Sequence, residues 1–513
     1  PAASGHGFLP LFSLLEFLSV LRTCVNTTVS SRAESLLPIA GVAIFFLAFA
    51  GQGVRNTFGW LGFGIITVLV LLACWAVFFL AGRRVTLRRI SLSVSSFIVL
   101  CCLSVIWSQY RLETFASALI TLATSSAGIL VAIAFPLRQM LKVFMDAMKI
   151  VVVLSYALEL WVSLFVGHRI PPVYMRHWKE VPELYYWIND SLFRGGPIQG
   201  FVGNRNPLAF IALLLLLCVL VFWIQDRTQH IRNFLWVCAC VGILILTGSA
   251  TVFVAMLVSL SALVFFLIIR HLGFYERRFA VRVALTAAAS FLLVAVVMKD
   301  QVTEILGRSS DMTGRGVIWA KLLELWTEHP LLGWGWVVMW PPWLPLFKNL
   351  VVRPDGTPTM QAHNAYIEAL FQTGIVGLML LSFAVLWVMI RIFRVALRDL
   401  ESDLIPVLAA VLMLAMFVQS FTESRLLTEG NWVLFVAFAT WGKVSFLLLL
   451  LQNASLLYYP ICLLQRLRHV ALEIIFSIVL LMQHISFIIA QRMVPVIYLR
   501  VIHGLSAARA ISS

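Results

Sequence analysis

The sequence predicts an all-α, polytopic membrane protein with about twelve transmembrane helices. Of its 513 residues, 61% are hydrophobic and only 12% are charged, and the apolar residues form long continuous runs. Soluble domains are roughly half apolar and a quarter charged, so they carry far more charge than this chain. A transmembrane β-barrel is disfavoured because its strands alternate apolar and polar residues, and runs such as 213–217 do not.

The apolar runs place the candidate membrane spans along the chain. They are 36–49, 58–80, 90–107, 115–135, 141–166, 207–224, 234–246, 252–269, 279–298, 373–390, 404–421 and 432–450. These spans form three groups, 36–166, 207–298 and 373–450, separated by two long segments, 167–206 and 299–372. Loops longer than about 15 residues are usually functional, so we expect any chemistry to lie in these two segments.

The positive charge is distributed as topology requires. The net charge of +15 is concentrated in short connections at 83–89, 138–142, 227–232, 270–278 and 391–398. The alternate short connections carry single arginines, Arg55, Arg111 and Arg425. By the positive-inside rule, this alternation places the two long loops, including Asp355, on the extracytoplasmic side. We therefore assign the basic residues to membrane orientation and expect no nucleic-acid partner.

The two ends of the chain are harder to assign. Segment 1–35 contains an apolar run, 8–21, that lacks the basic start and the cleavage site of a signal peptide. In the apolar tail 451–513, residues 470–490 are long enough to span the membrane. If this segment spanned the membrane, however, several arginines would lie on the extracytoplasmic side, against the positive-inside rule. An interfacial helix is therefore an equal alternative.

The second long loop contains a candidate anion site. Apolar residues after Gly314 follow a helical period and place Arg315 in the first turn of a helix that ends before Pro330. A helix N-terminus beside an arginine can bind an anion. The alternative is structural, with Arg315 capping a neighbouring helix or stacking on Trp319.

Two more polar side chains are expected on the same face of the membrane. His363 immediately precedes the tenth span, and Arg205 begins the sixth, where Pro207 suits a first helical turn. A single histidine is more often a hydrogen-bonding residue than a catalyst. Together, however, two arginines and one histidine outside a helix bundle describe a site for an anionic lipid headgroup.

The motifs in these loops resemble those of the bacterial O-antigen ligase and O-antigen polymerase superfamily. They are N-R-N-P (204–207), G-R-x-x-x-W (314–319), H-P-L-L-G-W-G-W (329–336) and A-H-N-A-Y-x-E-x-L-x-Q-x-G-I-V-G (362–377). The resemblance extends over roughly residues 36–445. It implies a glycosyltransferase that moves a glycan from undecaprenyl diphosphate to a glycan, lipid or protein acceptor. The reaction would take place at the outer face of the bacterial plasma membrane.

The resemblance also implies roles for individual residues. His363 would be the general base, because imidazole exchanges a proton near neutral pH. Arg315 and Arg205 would hold the diphosphate in bidentate hydrogen bonds. Asn364, Tyr366, Glu368 and Arg425 are further substrate-binding candidates.

The sequence gives no sign of a metal or a cofactor. It contains neither the Asp-x-Asp pair that chelates metal in many nucleotide-sugar transferases nor a phosphate-binding glycine loop of the Walker type. We therefore expect a metal-independent enzyme without a cofactor.

Two other classes of function compete with this hypothesis. A transporter of a lipid-linked saccharide would place ionisable residues near the bilayer midplane, but the spans offer few, such as Glu159. A membrane scaffold without chemistry would leave the ordered motifs unexplained. The sequence does not separate a ligase from a polymerase, because the acceptor is not encoded in these motifs.

Overall fold

The structure is a computed structural model that describes residues 11–297, 315–348, 350–352 and 357–454. Side chains are described from residue 30 onward, except at 87, 291–297 and 443–454. Asp355, residues 1–10 and residues 455–513 lie outside the described part, so the predictions made for them stay predictions. The chain divides into two compact units, Pro1–Phe446 and Leu447–Ser513, and the second is described only where the last helix ends.

The described residues form α-helices and no β-strand, which confirms the predicted all-α class. The helices are α1 (Leu11–Leu80), α2 (Leu92–Leu103), α3 (Arg111–Ala134), α4 (Leu137–Trp161), α5 (Arg205–Asp226), α6 (His230–Thr247), α7 (Ala250–Ile269), α8 (Phe274–Val297), α9 (Arg315–Trp326), α10 (Pro345–Lys348), α11 (Ala365–Asp399), α12 (Ile405–Ser420) and α13 (Glu429–Ala454). Every predicted span overlaps one of these helices.

The chain is a multi-pass membrane protein. Among the described residues, 7 helices are long and apolar enough to cross a membrane. They are Ser30–Leu80, Arg111–Ala134, Leu137–Val166, Arg205–Asp226, His230–Thr247, Ala250–Ile269 and Ala365–Asp399. Two shorter apolar helices, Leu92–Ile106 and Ile405–Ser420, accompany them. The predicted number of about twelve spans therefore stays a prediction.

The first two predicted spans differ from expectation because they share one helix. Residues 50–57, expected to be a loop, are helical, and α1 is interrupted only at Gly59, where φ is 74°. Glycine adopts this left-handed conformation without the steric cost of a Cβ atom. The break follows Arg55 by four residues and turns the chain beside that side chain.

Helices α5 and α12 form the centre of the bundle. Every residue of α5 from Pro207 to Val219 is buried, as is most of α12. Helix α5 packs against α4, α6, α7 and α12, whereas α12 packs against α7 and α11. Since both central helices begin or end at the polar loops, they fix the positions of the loop residues.

The first long loop is fastened to the end of α4. The buried carboxylate of Glu159 accepts hydrogen bonds from the N–H groups of Gly200 (2.7 Å) and Gln199 (2.9 Å). The Trp187 indole donates to the carbonyl oxygen of Phe201 at 2.9 Å. Glu159, noted above as a candidate midplane residue, thus holds loop backbone just before Arg205.

The second long loop is docked onto a break in α11. Gly374 has φ 66°, and the break frees backbone groups that would otherwise bond within the helix. Segment 329–336 satisfies four of them: the N–H groups of Trp334 and Gly335 donate to the carbonyl oxygens of Phe371 and Gln372, and those of Ile375 and Val376 donate to Pro330 and Leu331. The motifs at 329–336 and 362–377 are therefore hydrogen-bonded to each other through their backbones.

Trp336 secures the same loop to the body of the bundle. Its buried indole donates to Thr121 Oγ1 at 2.9 Å, and its N–H group donates to Ser104 Oγ at 3.0 Å. Because burial of an unpaired indole N–H is costly, these bonds fix the orientation of the loop on α2 and α3.

Candidate active site

The site is organised around Glu423, which lies in the connection between α12 and α13. Its side chain is only 4% exposed. Oε2 accepts hydrogen bonds from His363 Nδ1 (3.0 Å) and Gln361 Nε2 (3.2 Å). Oε1 accepts from Asn206 Nδ2 (3.2 Å) and Arg315 Nη2 (3.4 Å). Three distant parts of the chain therefore converge on one carboxylate.

The environment of Glu423 keeps its carboxylate ionised. Burial raises the pKa of this carboxyl, but the hydrogen bond from His363 lowers it, and so do the charges of Arg425 and Arg315. The hydrogen bond and the positive charges together outweigh burial, so the pKa of Glu423 lies below its ordinary value of 4.5. An ionised carboxylate can only accept, so His363 must carry its hydrogen on Nδ1. The other ring nitrogen, Nε2, is then the proton acceptor of the neutral imidazole.

The backbone turns the His363 ring towards Glu423. His363 has φ 52°, a left-handed conformation that is uncommon for a side-chain-bearing residue and is often retained at functional sites. Asn364 follows in an extended conformation and caps α11, accepting from the N–H groups of Tyr366 (2.9 Å) and Ile367 (3.1 Å). Its Nδ2 donates to the carbonyl oxygen of Phe421 at 3.2 Å. Asn364 thus joins the start of α11 to the segment that carries Glu423.

Helix α9 presents two residues of its first turns to the site. It is described from Arg315 to Trp326, and the prediction that Arg315 lies in its first turn stays a prediction. Arg315 and Trp319 are four residues apart and so share one helix face. Arg315 pairs with Glu423, and the Trp319 indole donates to the carbonyl oxygen of Ala362 at 2.9 Å. The spacing G-R-x-x-x-W therefore places a cation in the site while holding the residue before His363.

Glu368 lies beneath the site and bonds to the neighbours of both central residues. It is 2% exposed. Oε2 accepts from the N–H of Ala362 (2.7 Å) and from Ser424 Oγ (3.0 Å), which adjoin His363 and Glu423. Oε1 accepts from Trp340 Nε1 and Gln372 Nε2, each at 2.6 Å. Protein groups thus bind both carboxylate oxygens of this predicted substrate-binding residue.

The remaining predicted residues occupy different positions around this centre. Arg425 donates to Glu429 Oε2 at 3.2 Å, and its charge acts on Glu423. The Tyr366 hydroxyl accepts from Ser420 Oγ at 3.3 Å. Arg205 is exposed in the first turn of α5, directly beside Asn206, as predicted for that helix start.

Sequence reasoning missed Glu423, Asn206 and Gln361. Each adjoins or nearly adjoins a residue that was selected: Asn206 follows Arg205, Gln361 precedes His363 by two, and Glu423 precedes Arg425 by two. The chain has only 23 acidic residues, so two glutamates flanking Arg425 between the last apolar runs were a usable signal. Within the described ranges, no group of three or more His, Cys, Asp or Glu residues is arranged to hold a metal ion.

Comparison with known proteins finds similarity to one protein family and to two characterised proteins. The family profile described as O-antigen ligase matches residues 234–382, a range that includes Arg315 and His363. The exopolysaccharide production protein ExoQ of Rhizobium meliloti is 28% identical over 153 residues, which are 28% of this chain and 34% of that protein. The O-antigen ligase of Pseudomonas aeruginosa is 30% identical over 204 residues, which are 38% of this chain and 43% of that protein. The chain thus matches less than half the length of either relative.

Proposed function

We propose that this chain belongs to the O-antigen ligase superfamily and that it is a membrane glycosyltransferase of ligase or polymerase type. It transfers a glycan from undecaprenyl diphosphate to an acceptor hydroxyl at the extracytoplasmic face of the bacterial plasma membrane. The observation that carries the proposal is the joining of His363 and Arg315, from separate motifs, by the buried carboxylate of Glu423.

The proposed chemistry is a displacement at the anomeric carbon of the donor glycan. His363 Nε2 takes the proton of the acceptor hydroxyl while the hydroxyl oxygen bonds to that carbon. The bond from carbon to the diphosphate oxygen breaks, and undecaprenyl diphosphate leaves with the bonding electrons. Glu423, bonded to Nδ1, stabilises the imidazolium that forms, as a carboxylate does in a triad.

The arginines serve the leaving group. The diphosphate is already a weak base, so it needs charge stabilisation rather than a strong general acid. Guanidinium groups pair with phosphate oxygens in a planar fork and keep their charge at any physiological pH. We assign this role to Arg315 and to the exposed Arg205, with Arg425 close by.

The other selected residues have supporting roles in this proposal. Asn364 fixes the turn that carries His363, and Tyr366 lines the start of α11. Glu368 acts through Ala362 and Ser424. The acceptor is a glycan, a lipid or a protein hydroxyl.

The experiment is glycan transfer by purified protein in vesicles, with an undecaprenyl-diphosphate-linked glycan as donor. His363→Ala is expected to lower turnover by about 10²–10⁴-fold with little change in donor affinity, because proton transfer typically contributes that much. His177→Ala, which removes an exposed histidine of the first loop, is the matched control. Equal turnover in the two variants would remove His363 from the base role.

Arg315 is tested in the same assay. Arg315→Ala is expected to weaken donor binding and to lower turnover by about 10²–10³-fold, the usual loss for one preorganised charge partner. Arg315→Lys should restore activity only in part, because a point charge replaces a fork. Full activity in Arg315→Ala would contradict its role at the diphosphate.

Metal independence is a separate prediction. Arginines neutralise the diphosphate in this mechanism, so transfer should continue at an unchanged rate in EDTA. A strict requirement for added Mg²⁺ or Mn²⁺, measured after dialysis against chelator, would refute neutralisation by arginines alone.

A further inference from the structure

A second cluster of charged groups lies beside the site, around Glu429 at the start of α13. Arg55 is 9% exposed, and its Nη2 donates to Glu429 Oε1 at 2.8 Å. Arg425 Nη1 donates to Glu429 Oε2 at 3.2 Å. Two guanidinium groups thus share one carboxylate, and the cluster keeps a net positive charge.

Aromatic rings adjoin the same cluster. The break at Gly59 turns α1 so that the Arg55 guanidinium carbon lies 4.9 Å from the Trp60 ring centroid and 5.2 Å from that of Phe63. Trp60 is 51% exposed. Tyr174, from the first long loop, places its ring 6.1 Å from that of Trp60. The cation is therefore bordered by an open aromatic surface to which two elements contribute.

A small cavity of about 10 Å³, room for about one water molecule, lies beside the cluster between α1, α5 and the start of α13. Its walls include Phe49 and Phe210, and its polar lining comes from Arg425, Thr428 and Asn431. Since this cavity is too small for a sugar, a saccharide would contact the cluster from the exposed aromatic surface at Trp60.

The cluster is adjacent to the proposed catalytic centre. Arg425 follows Glu423 by two residues, and its charge acts on both Glu423 and Glu429. A molecule bound at Arg55 and Arg425 would therefore lie near Glu423, at groups other than the Arg315 and Arg205 assigned to the diphosphate.

We propose that Arg55, Arg425 and Trp60 form a second anion subsite, which binds an acidic group, phosphate or carboxylate, on the acceptor saccharide. This inference rests on the proposed function, since it names the chemistry of the acceptor. Glu429 is the internal counter-ion that holds the two guanidinium groups in place, and Trp60 packs against the apolar face of the sugar ring.

The test is binding of small probes to the full chain in phosphatidylcholine nanodiscs. An Arg315→Ala background weakens competing phosphate binding at the donor site. Glucose 6-phosphate and glucuronate are the probes, and glucose is the uncharged control. The charged sugars are expected to bind measurably more tightly than glucose, and equal weak binding of all three would overturn the proposal.

Two substitutions with opposite expected effects separate this subsite from a structural ion pair. Arg55→Gln should weaken binding of the charged sugars about tenfold or more, the value of a charged hydrogen bond. Glu429→Gln removes the competing carboxylate and should tighten binding several-fold. If Glu429→Gln weakens binding as Arg55→Gln does, the cluster is structural and the proposal is wrong.

Trp60→Ala supplies a variant at an exposed position that should fold normally. It should lower affinity for glucose 6-phosphate while leaving affinity for inorganic phosphate unchanged; equal loss for both probes would contradict the saccharide assignment.

Phosphatidylglycerol in the nanodisc should not compete, and competition would instead assign the site to a lipid headgroup. Because these measurements need no transfer, their failure is distinguishable from failure of the proposed glycosyltransferase activity.

Discussion

The carboxylate of Glu423 holds an imidazole, a guanidinium and two amides within 3.4 Å. A buried carboxylate is costly unless its oxygens are filled by hydrogen bonds or opposite charges. Here both oxygens accept hydrogen bonds, and these bonds fix the imidazole, the guanidinium and the two amides in position. The same carboxylate that stabilises the fold at this point also selects the tautomer that leaves His363 Nε2 able to accept a proton.

The depressed pKa of Glu423 predicts how stability depends on pH. A group whose pKa is lower in the folded state contributes stability above its unfolded value, and this contribution is lost as pH falls through the folded value. The thermal midpoint of the parent protein should therefore exceed that of Glu423→Gln near neutral pH. The difference should shrink below the ordinary pKa of 4.5.

The measurement is thermal unfolding of both proteins between about pH 7 and about pH 3. Glu180→Gln, at an exposed glutamate of the first loop, is the control and should track the parent throughout. A difference that is constant across this range would show that ionisation of Glu423 does not stabilise the fold.

The sequence identified some of these residues for definite physical reasons. Arg315 follows Gly314 where a helical period begins, and His363 immediately precedes a long apolar run, so local pattern selected both residues, whereas their roles come from the family resemblance. Glu423 lies in a short connection 60 residues from His363, and the two glutamates that flank Arg425 mark this connection without revealing its partner. Its role depends on tertiary pairing, which no local pattern reveals.

At the scale of elements, helix breaks position the site. The break at Gly374 lets segment 329–336 bond to α11, and the break at Gly59 brings aromatic rings to Arg55. Apolar periodicity predicted the helices that contain these glycines. It did not predict the breaks, because a single glycine within an apolar run is usually tolerated in a helix. At Gly374, the freed backbone groups bond to a segment from elsewhere in the chain.

Gly374 is the most sensitive of these positions. A Cβ atom there would lie 2.2 Å from the carbonyl oxygen of Leu331, and φ is positive. Gly374→Ala should therefore separate segment 329–336 from α11 and destabilise the protein by more than the strain of about 1–3 kcal/mol alone. We expect less folded protein and a lower thermal midpoint.

Gly64→Ala is the matched control, because a Cβ atom at Gly64 meets nothing within 4 Å. Both variants are compared by thermal unfolding in detergent and by recovery of monodisperse protein. Equal midpoints for the two would show that the close approach at Gly374 does not hold the loop.

At the scale of the whole molecule, two polar networks lie at opposite ends of the same helices. Asn206, at the start of α5, bonds to Glu423, whereas Asp226, at its end, pairs with Arg138. Near the other end of α11 and α12, Arg277 pairs with Glu401 at 2.6 Å. The basic connections in the sequence thus lie at the end away from the site, as their alternation with the polar loops predicts.

This arrangement predicts the sidedness of the protein. A single cysteine at Lys348, exposed in the second long loop, should react with an impermeant thiol reagent on intact spheroplasts. A cysteine at Arg84, exposed in a basic connection, should react only after lysis. Both are placed in a background without native cysteines, and the reverse labelling pattern would invert the topology and exclude an extracytoplasmic site.

The central claim is that His363 and Glu423 act as one catalytic unit, and a double-mutant cycle in glycan transfer tests it most directly. Turnover is measured for the parent, His363→Ala, Glu423→Gln and the double variant, each normalised to folded protein. Residues that act as a unit show strongly non-additive losses, so the double variant should retain about the turnover of His363→Ala alone. A loss equal to the product of the two single losses, or near-normal transfer in His363→Ala, would contradict the account.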